Sequence, residues 1–141
     1  MPRRRPAPSA PPASPAAAAP CPCGLGAPYG ECCGPFHTGR STAPTAERLM
    51  RSRYAAFAVR DPAYLLRTWS AGTRPAQLQL DHAVRWTALD ILATTGGTAF
   101  HREGTVEFTA HYRLDGHDGE QHENSRFLRE HGHWVYVAPL P

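Results

Sequence analysis

Lysine is missing from all 141 residues, no cysteine occurs after position 33, and no long apolar run occurs anywhere. Each absence excludes something. Without about eighteen consecutive apolar residues, no segment is expected to cross a membrane as a helix. Without lysine, all fifteen basic side chains are arginine, a bias that, with the excess of alanine and proline, reads as a GC-rich coding sequence rather than as chemistry. The formal charge is +3, and Arg3, Arg4 and Arg5 supply all of it, because from residue 21 onward twelve arginines balance twelve carboxylates. Sequence-reading nucleic-acid proteins carry a basic stripe on their folded surface, so no sequence-specific nucleic-acid partner is expected here. What remains of that class is weak, salt-sensitive contact through the arginine tip.

Residues 1–20 also lack any bulky apolar side chain after Met1, and hold seven prolines and seven alanines. A proline at about every third position prevents the continuous apolar helix of a signal peptide. The segment is expected to be a disordered Pro/Ala leader of polyproline character on a cytoplasmic protein.

The cysteines that are present, Cys21, Cys23, Cys32 and Cys33, stand within "CPCGLGAPYGECCG". Disulfides are disfavoured in a reducing compartment, and adjacent cysteines such as Cys32 and Cys33 pair only through a strained ring. Zinc wants four soft donors in a tetrahedron, and two short knuckles at the ends of a loop deliver two each. Here C-x-C and C-C are separated by eight residues. Gly24, Gly26, Gly30 and Gly34 fall where the backbone must turn around sulfur, often at positive φ. Four free thiols in a loop, or a redox dithiol, are the alternatives, and both leave the glycines unexplained. His37 is the one substitute ligand in reach and is expected to flank the site, since four thiolates complete the shell.

"CPCGLGAPYGECCG" is similar to the SEC-C motif, a C-x-C-x8-C-[CH] zinc module, with Leu25 where the usual serine stands. Downstream, "GPFHTGRSTAPTAERLMRSRYAAFAVRDPAYLLRTW", "EGTVEFTAHYR" and "ENSRFLREHGHWVYV" resemble the YchJ family, proteins with an amino-terminal SEC-C module followed by a small α+β domain. The resemblance implies zinc on the four cysteines, a module over residues 21–40, and over 41–141 the cone-shaped fold of nuclear transport factor 2. It implies no reaction, because the family's biochemistry is not defined.

Residue patterns support the α+β class independently. Thr45 can cap a helix with Glu47 in its first turn, and Ala46, Leu49, Met50, Arg53, Tyr54 and Phe57 recur at helical spacing to residue 59. Asp61-Pro62 signals a second helix, 62 to about 70, completing a helical hairpin. From Arg85 the period falls to two, giving strands at "RWTALDILAT", "GTVEFTAHYRL", "EQHENSRFLRE" and "HWVYVAP". A helical hairpin followed by an antiparallel meander gives helices packed on one face of a sheet, which the resemblance sharpens to a curved sheet enclosing a pocket.

On the second strand, Val106, Phe108, Ala110 and Tyr112 share one face, and Thr109, His111 and Arg113 the other. A hairpin centred near His117 would set His111 opposite Glu123, Thr109 opposite Ser125 and Tyr112 opposite His122. His111 and Glu123, with Arg126, Asp90 or Tyr54 to hold a substrate, are then the pocket candidates for proton-transfer chemistry. Arg126 is expected on the face of Leu128, beside Phe108, and in need of a carboxylate or aromatic partner. Trp69, Trp86 and Trp134 are expected in the core, Trp86 lining a cavity. The eight histidines include no helical H-x-x-x-H pair, so no second metal site is expected.

The sequence favours a non-catalytic zinc protein that presents its cysteine module, with Arg40 and the leader, to a protein or ribonucleoprotein partner. The alternative is an enzyme or small-molecule binder that uses the pocket, with zinc as a clamp. In either case the second domain is expected to hold its own core without the module.

Overall fold

The computed structural model describes residues 16–141. Most of the expected leader lies outside the described residues. Residues 16–20 lie against the cysteine loop, where the carbonyls of Ala17 and Ala19 accept from Gly30 and Tyr29 at 2.9 and 2.8 Å. Pro20 and Pro28 form an isolated bridge.

Three helices precede four strands: α1 (Gly34–His37), α2 (Ala46–Val59), α3 (Pro62–Arg67), β1 (Arg85–Gly96), β2 (Glu103–Leu114), β3 (His117–Glu130) and β4 (His133–Pro139). Helix α2 starts as its cap signal requires, with Thr45 accepting from the Arg48 amide at 3.1 Å and Glu47 pairing with Arg51 at 3.0 Å one turn on. It stops where Arg60 takes φ 61° and the Asp61 amide returns to the Ala56 carbonyl at 2.8 Å, the left-handed turn that satisfies a helix's last carbonyls.

Helix α3 is capped by Asp61, which accepts from Tyr64 at 3.1 Å, with Pro62 in its first turn. It ends three residues before the expected position 70, and the cause is pairing with β4. The Thr68 carbonyl accepts from Tyr136 at 2.8 Å and the Ser70 amide donates to Tyr136 at 2.7 Å. Residues 68–70 therefore leave the helix to form a short parallel bridge on the sheet edge.

The sheet is a simple antiparallel meander in the order β1-β2-β3-β4. Register shifts at Trp86/Ala88 and Ile91/Ala93 in β1, and at Arg126/Phe127 between β3 and β4, place the irregularities that bend a sheet. The inner face supplies Leu89, Val106, Phe108, Ala110, Phe127 and Trp134, packed on Ala46, Leu49, Met50 and Tyr54 of α2. The same helix is covered elsewhere as well, with Ala55 against the four cysteines and Tyr29 and Ala56 against Phe36, Tyr64 and Leu65. Helix α2 is thus the axis of three packing clusters. One apolar stripe, as the periodicity suggested, would have covered a single side.

The β2–β3 register differs from the expected one. Its turn is Asp115-Gly116, both at positive φ (53° and 79°), the two-residue hairpin for which Asp-Gly is strongly preferred. His111 faces Glu120, Thr109 faces His122 and Tyr112 faces Gly119, while Glu123 faces Phe108. The shift carries Glu123 to the inner face and leaves His111 on the outer one.

Candidate metal centre and adjoining cavity

The loop bearing the cysteines closes on itself, with Cys21 donating to Ala27 at 2.9 Å and Gly24 to Cys21 at 3.2 Å. Gly24 and Gly26 sit at φ 84° and 90°, so the turn around the first knuckle needs the glycines found there. Gly34 is needed for a different reason, because a Cβ would lie 2.7 Å from the Tyr29 carbonyl oxygen. That contact would separate the second knuckle from the 3-10 turn Tyr29–Glu31 packed beside it.

All four cysteines are buried, and their sulfur atoms lie within 4.8 Å of one another. The Cys23 and Cys32 sulfurs are 3.5 Å apart. A tetrahedron with metal–sulfur bonds of about 2.3 Å places its sulfurs roughly 3.8 Å apart, so four soft donors of suitable spacing face a common centre. As thiols they cannot all ionise. Hydrogen bonds from Cys23 and Cys33 pull Cys21 down, burial pushes Cys32 up to about 12, and the bonds to Cys21 and Cys23 push Cys33 up as well. A dication at the centre is what permits the four to ionise together.

The cage is held by α2. Arg51 Nη1 donates to the Cys23 carbonyl at 3.0 Å, and Arg48 Nη2 stands 3.9 Å from the Cys32 sulfur. Two cations therefore border a tetrathiolate centre that would carry a net negative charge. His37 is not among the converging ligands. Its Nε2 donates to the Ser52 carbonyl at 2.8 Å and its Nδ1 accepts from the Tyr29 hydroxyl at 2.6 Å, which ties the cysteine loop to the middle of α2 and fixes the tautomer. Burial holds its pKa below the usual imidazole value.

The three pocket candidates do not converge. His111 lies on the outer face, 2.8 Å from Asp90 and 3.7 Å from Glu120. Arg126 faces Thr105 on that same side, half-exposed and 3.9 Å from Glu103, not beside Phe108. Glu123 alone enters a cavity of about 220 Å³ between α2 and the inner sheet face, lined by Trp69, Trp86, Phe108, Tyr54 and Tyr136 among others. Trp86 thus lines a cavity as expected, and so does Trp69, whereas Trp134 is buried with its Nε1 donating to Pro44 at 3.1 Å.

The charged cavity residue that sequence reasoning missed is Arg53. It occupies an apolar position of α2, is 4% exposed, and lines the cavity. Its Nη1 donates to the Leu65 carbonyl at 2.7 Å and to Thr68 Oγ1 at 2.8 Å. The guanidinium lies 5.1 Å from the Trp69 ring centre and 4.7 Å from that of Tyr136. Burial draws its pKa down to about 10, so it remains a cation at neutral pH. The available signal was an arginine set within an otherwise apolar helical stripe.

Comparison with known proteins agrees with this architecture. The model for the YchJ middle NTF2-like domain matches residues 45–139. A UPF0225 protein of Streptomyces coelicolor is 58% identical over 118 residues, covering 84% of this chain and 92% of its own. One from Deinococcus radiodurans is 49% identical over 121 residues, with 84% and 86% covered. Among solved structures, a SEC-C motif containing protein from Rhodopseudomonas palustris superposes with a TM-score of 0.74 at 32% identity, covering 86% of this chain and 98% of that one. A second from Psychrobacter arcticus gives 0.68 at 28% identity, with 87% and 82% covered. With the matched domain spanning most of the chain and its relatives aligned over most of their length, the chain belongs to the YchJ family, whose members carry the designation UPF0225.

Proposed function

We propose that Cys21, Cys23, Cys32 and Cys33 hold one zinc ion as a structural clamp, and that the protein is a cytoplasmic small-molecule binder whose recognition site is the cavity beside α2. Four sulfur ligands complete a tetrahedral shell and leave no position for an activated water, so the clamp serves the fold. One observation carries the binding reading. Arg53 and Glu123 share a cavity of largely aromatic lining without forming an ion pair with each other among the described residues. Each is met by neutral hydrogen-bond partners, and Arg53 by ring faces as well, rather than by an opposite charge in direct contact. A buried charge left without a counter-charge is costly to the fold, and a ligand that pairs with it offsets that cost. His111, the expected general base, is on the other side of the sheet and does not meet Glu123 there.

The test is native mass spectrometry of protein purified from cells without added metal. One zinc and a retained small molecule are expected; zinc alone, with no small molecule retained in any preparation, refutes the binding reading. A second reading has the cysteine module dock a protein or ribonucleoprotein partner. It is supported by Leu25, which stands 44% exposed between Gly24 and Gly26, and would be favoured if Leu25→Ser abolished co-purification of a partner.

A further inference from the structure

The cavity's two charged groups are incompletely satisfied in complementary ways. Nη1 of Arg53 is taken by Leu65 and Thr68, while its Nε and Nη2 have no acceptor among the described residues. A guanidinium presents its N–H groups in one plane, the arrangement that matches a carboxylate. The Trp69 ring beneath it carries an enclosed Nε1–H that also lacks an acceptor, so the donors open to a ligand at this end are those of the guanidinium. Glu123 is the reverse case. Its Oε2 accepts from Ser125 Oγ at 2.5 Å and from the Tyr136 hydroxyl at 3.1 Å, and its Oε1 has no donor among the described residues.

Around these groups the cavity walls are rings. Trp69 stands edge-on to Tyr136 at 5.2 Å and 83°, and Trp86 edge-on to Tyr54 at 6.1 Å and 73°. Ring arrangements of this kind favour another ring set offset or edge-on against them. The volume of about 220 Å³ lies below the range of roughly 300–1,000 Å³ usual for drug-sized ligands, so a lipid or a dinucleotide is too large. A plain hydrocarbon would leave both charges unanswered, a purely cationic or purely anionic molecule would answer a single end, and an aliphatic amino or hydroxy acid would answer both while leaving the ring walls without a partner ring.

We propose that the cavity binds a small planar, conjugated acid, its carboxylate against Arg53 and a hydroxyl or amino donor at its far end against Glu123 Oε1. The assignment rests on the binding reading above and adds to it the chemistry of the ligand.

The probe is 4-hydroxybenzoate, with benzoate and phenol as molecules that keep one end each. The readout is the set of tryptophan indole N–H signals in nitrogen-15 NMR of the zinc-loaded full chain. Trp69 and Trp86 line this cavity, and Trp134, whose N–H is held by Pro44, serves as the internal reference. Saturable shifts at Trp69 and Trp86 with Trp134 unmoved are expected, with benzoate, which loses one hydrogen bond to a charged group, weaker by about tenfold or more, and phenol, which loses the carboxylate–guanidinium pair, weaker still. Glu123→Gln keeps an oxygen for Ser125 and Tyr136, and should reduce 4-hydroxybenzoate to the affinity of benzoate. Arg53→Lys keeps the charge without the planar donor array, and should weaken 4-hydroxybenzoate and benzoate while leaving phenol unchanged.

The proposal is overturned if millimolar 4-hydroxybenzoate leaves Trp69 and Trp86 unmoved, if all three indoles shift alike, or if neither variant weakens binding. Should the cell-purified protein retain a molecule that is not a conjugated acid while these probes fail, this inference falls and the binding reading stands. If nothing is retained and no probe binds, both fall.

Discussion

Removing the metal clamp should destabilise the whole protein. In Cys32→Ser the tetrahedral shell is broken, and the loop that carries Tyr29, Phe36 and His37 loses its anchor. Tyr29 and Phe36 are both buried, and releasing two such side chains forfeits about 1.5–3 kcal/mol each. The bonds from His37 to Ser52 and from Tyr29 to His37 add about 1 kcal/mol apiece. The sum, about 5–8 kcal/mol, is an upper value, because a denatured chain already buries part of this surface. Against a typical stability of about 5–15 kcal/mol, that is a large share. Ser52, Ala55 and Ala56 of α2, all at 0% exposure, would be uncovered on the side away from the sheet. At about 3–4 °C per kcal/mol for a domain of this size, the thermal midpoint should fall by roughly 15–30 °C, followed by far-UV circular dichroism. Hydrogen exchange should rise in α2 as well as in residues 21–38. A fall of under about 5 °C with α2 amides still protected would show that the second domain holds its own core, as the sequence suggested, and would refute the three-cluster account of α2.

Acid should weaken the protein through His37 before most carboxylates titrate. Because burial holds its folded pKa below the ordinary value of about 6.5, the unfolded state takes up the proton first. The contribution is therefore intact above about 6.5 and is lost as the pH falls below it. Urea midpoints measured in excess zinc should drop between pH 7.5 and 5.5, and His37→Gln should flatten that slope. Thr45→Ala should cost about 1 kcal/mol through loss of the α2 cap, read as a shifted urea midpoint with unchanged slope. Arg53→Met should cost about 1–3 kcal/mol by leaving the Leu65 carbonyl without its guanidinium donor. A gain in stability there would show that the buried cation serves the cavity at the expense of the fold.

Where local chemistry decides, the sequence was readable. The four cysteines with their glycines, the Thr45 and Asp61 caps and the strands from Arg85 onward each depend on a few adjacent residues, and each is found in place. Three features depended on distant partners. Helix α3 stops at Arg67 because residues 68–70 pair with β4, which lies some seventy positions away. The β2–β3 register turned on which of two Asp-Gly pairs in "DGHDG" makes the turn, and centring the hairpin near His117 inverted the face of Glu123. Since side chains alternate, that shift of odd parity was enough to break the expected pair with His111. Arg53 was visible on the apolar stripe, but only its surroundings, Leu65, Thr68, Trp69 and Tyr136, distinguish a cavity cation from a long stem reaching water.

Zinc-edge X-ray absorption on protein purified from cells without added metal tests the central claim most directly. The account predicts one zinc per chain with four sulfur neighbours at about 2.3 Å, a shell unchanged by His37→Gln. A shell containing nitrogen or oxygen, or protein folded and zinc-free, would contradict it.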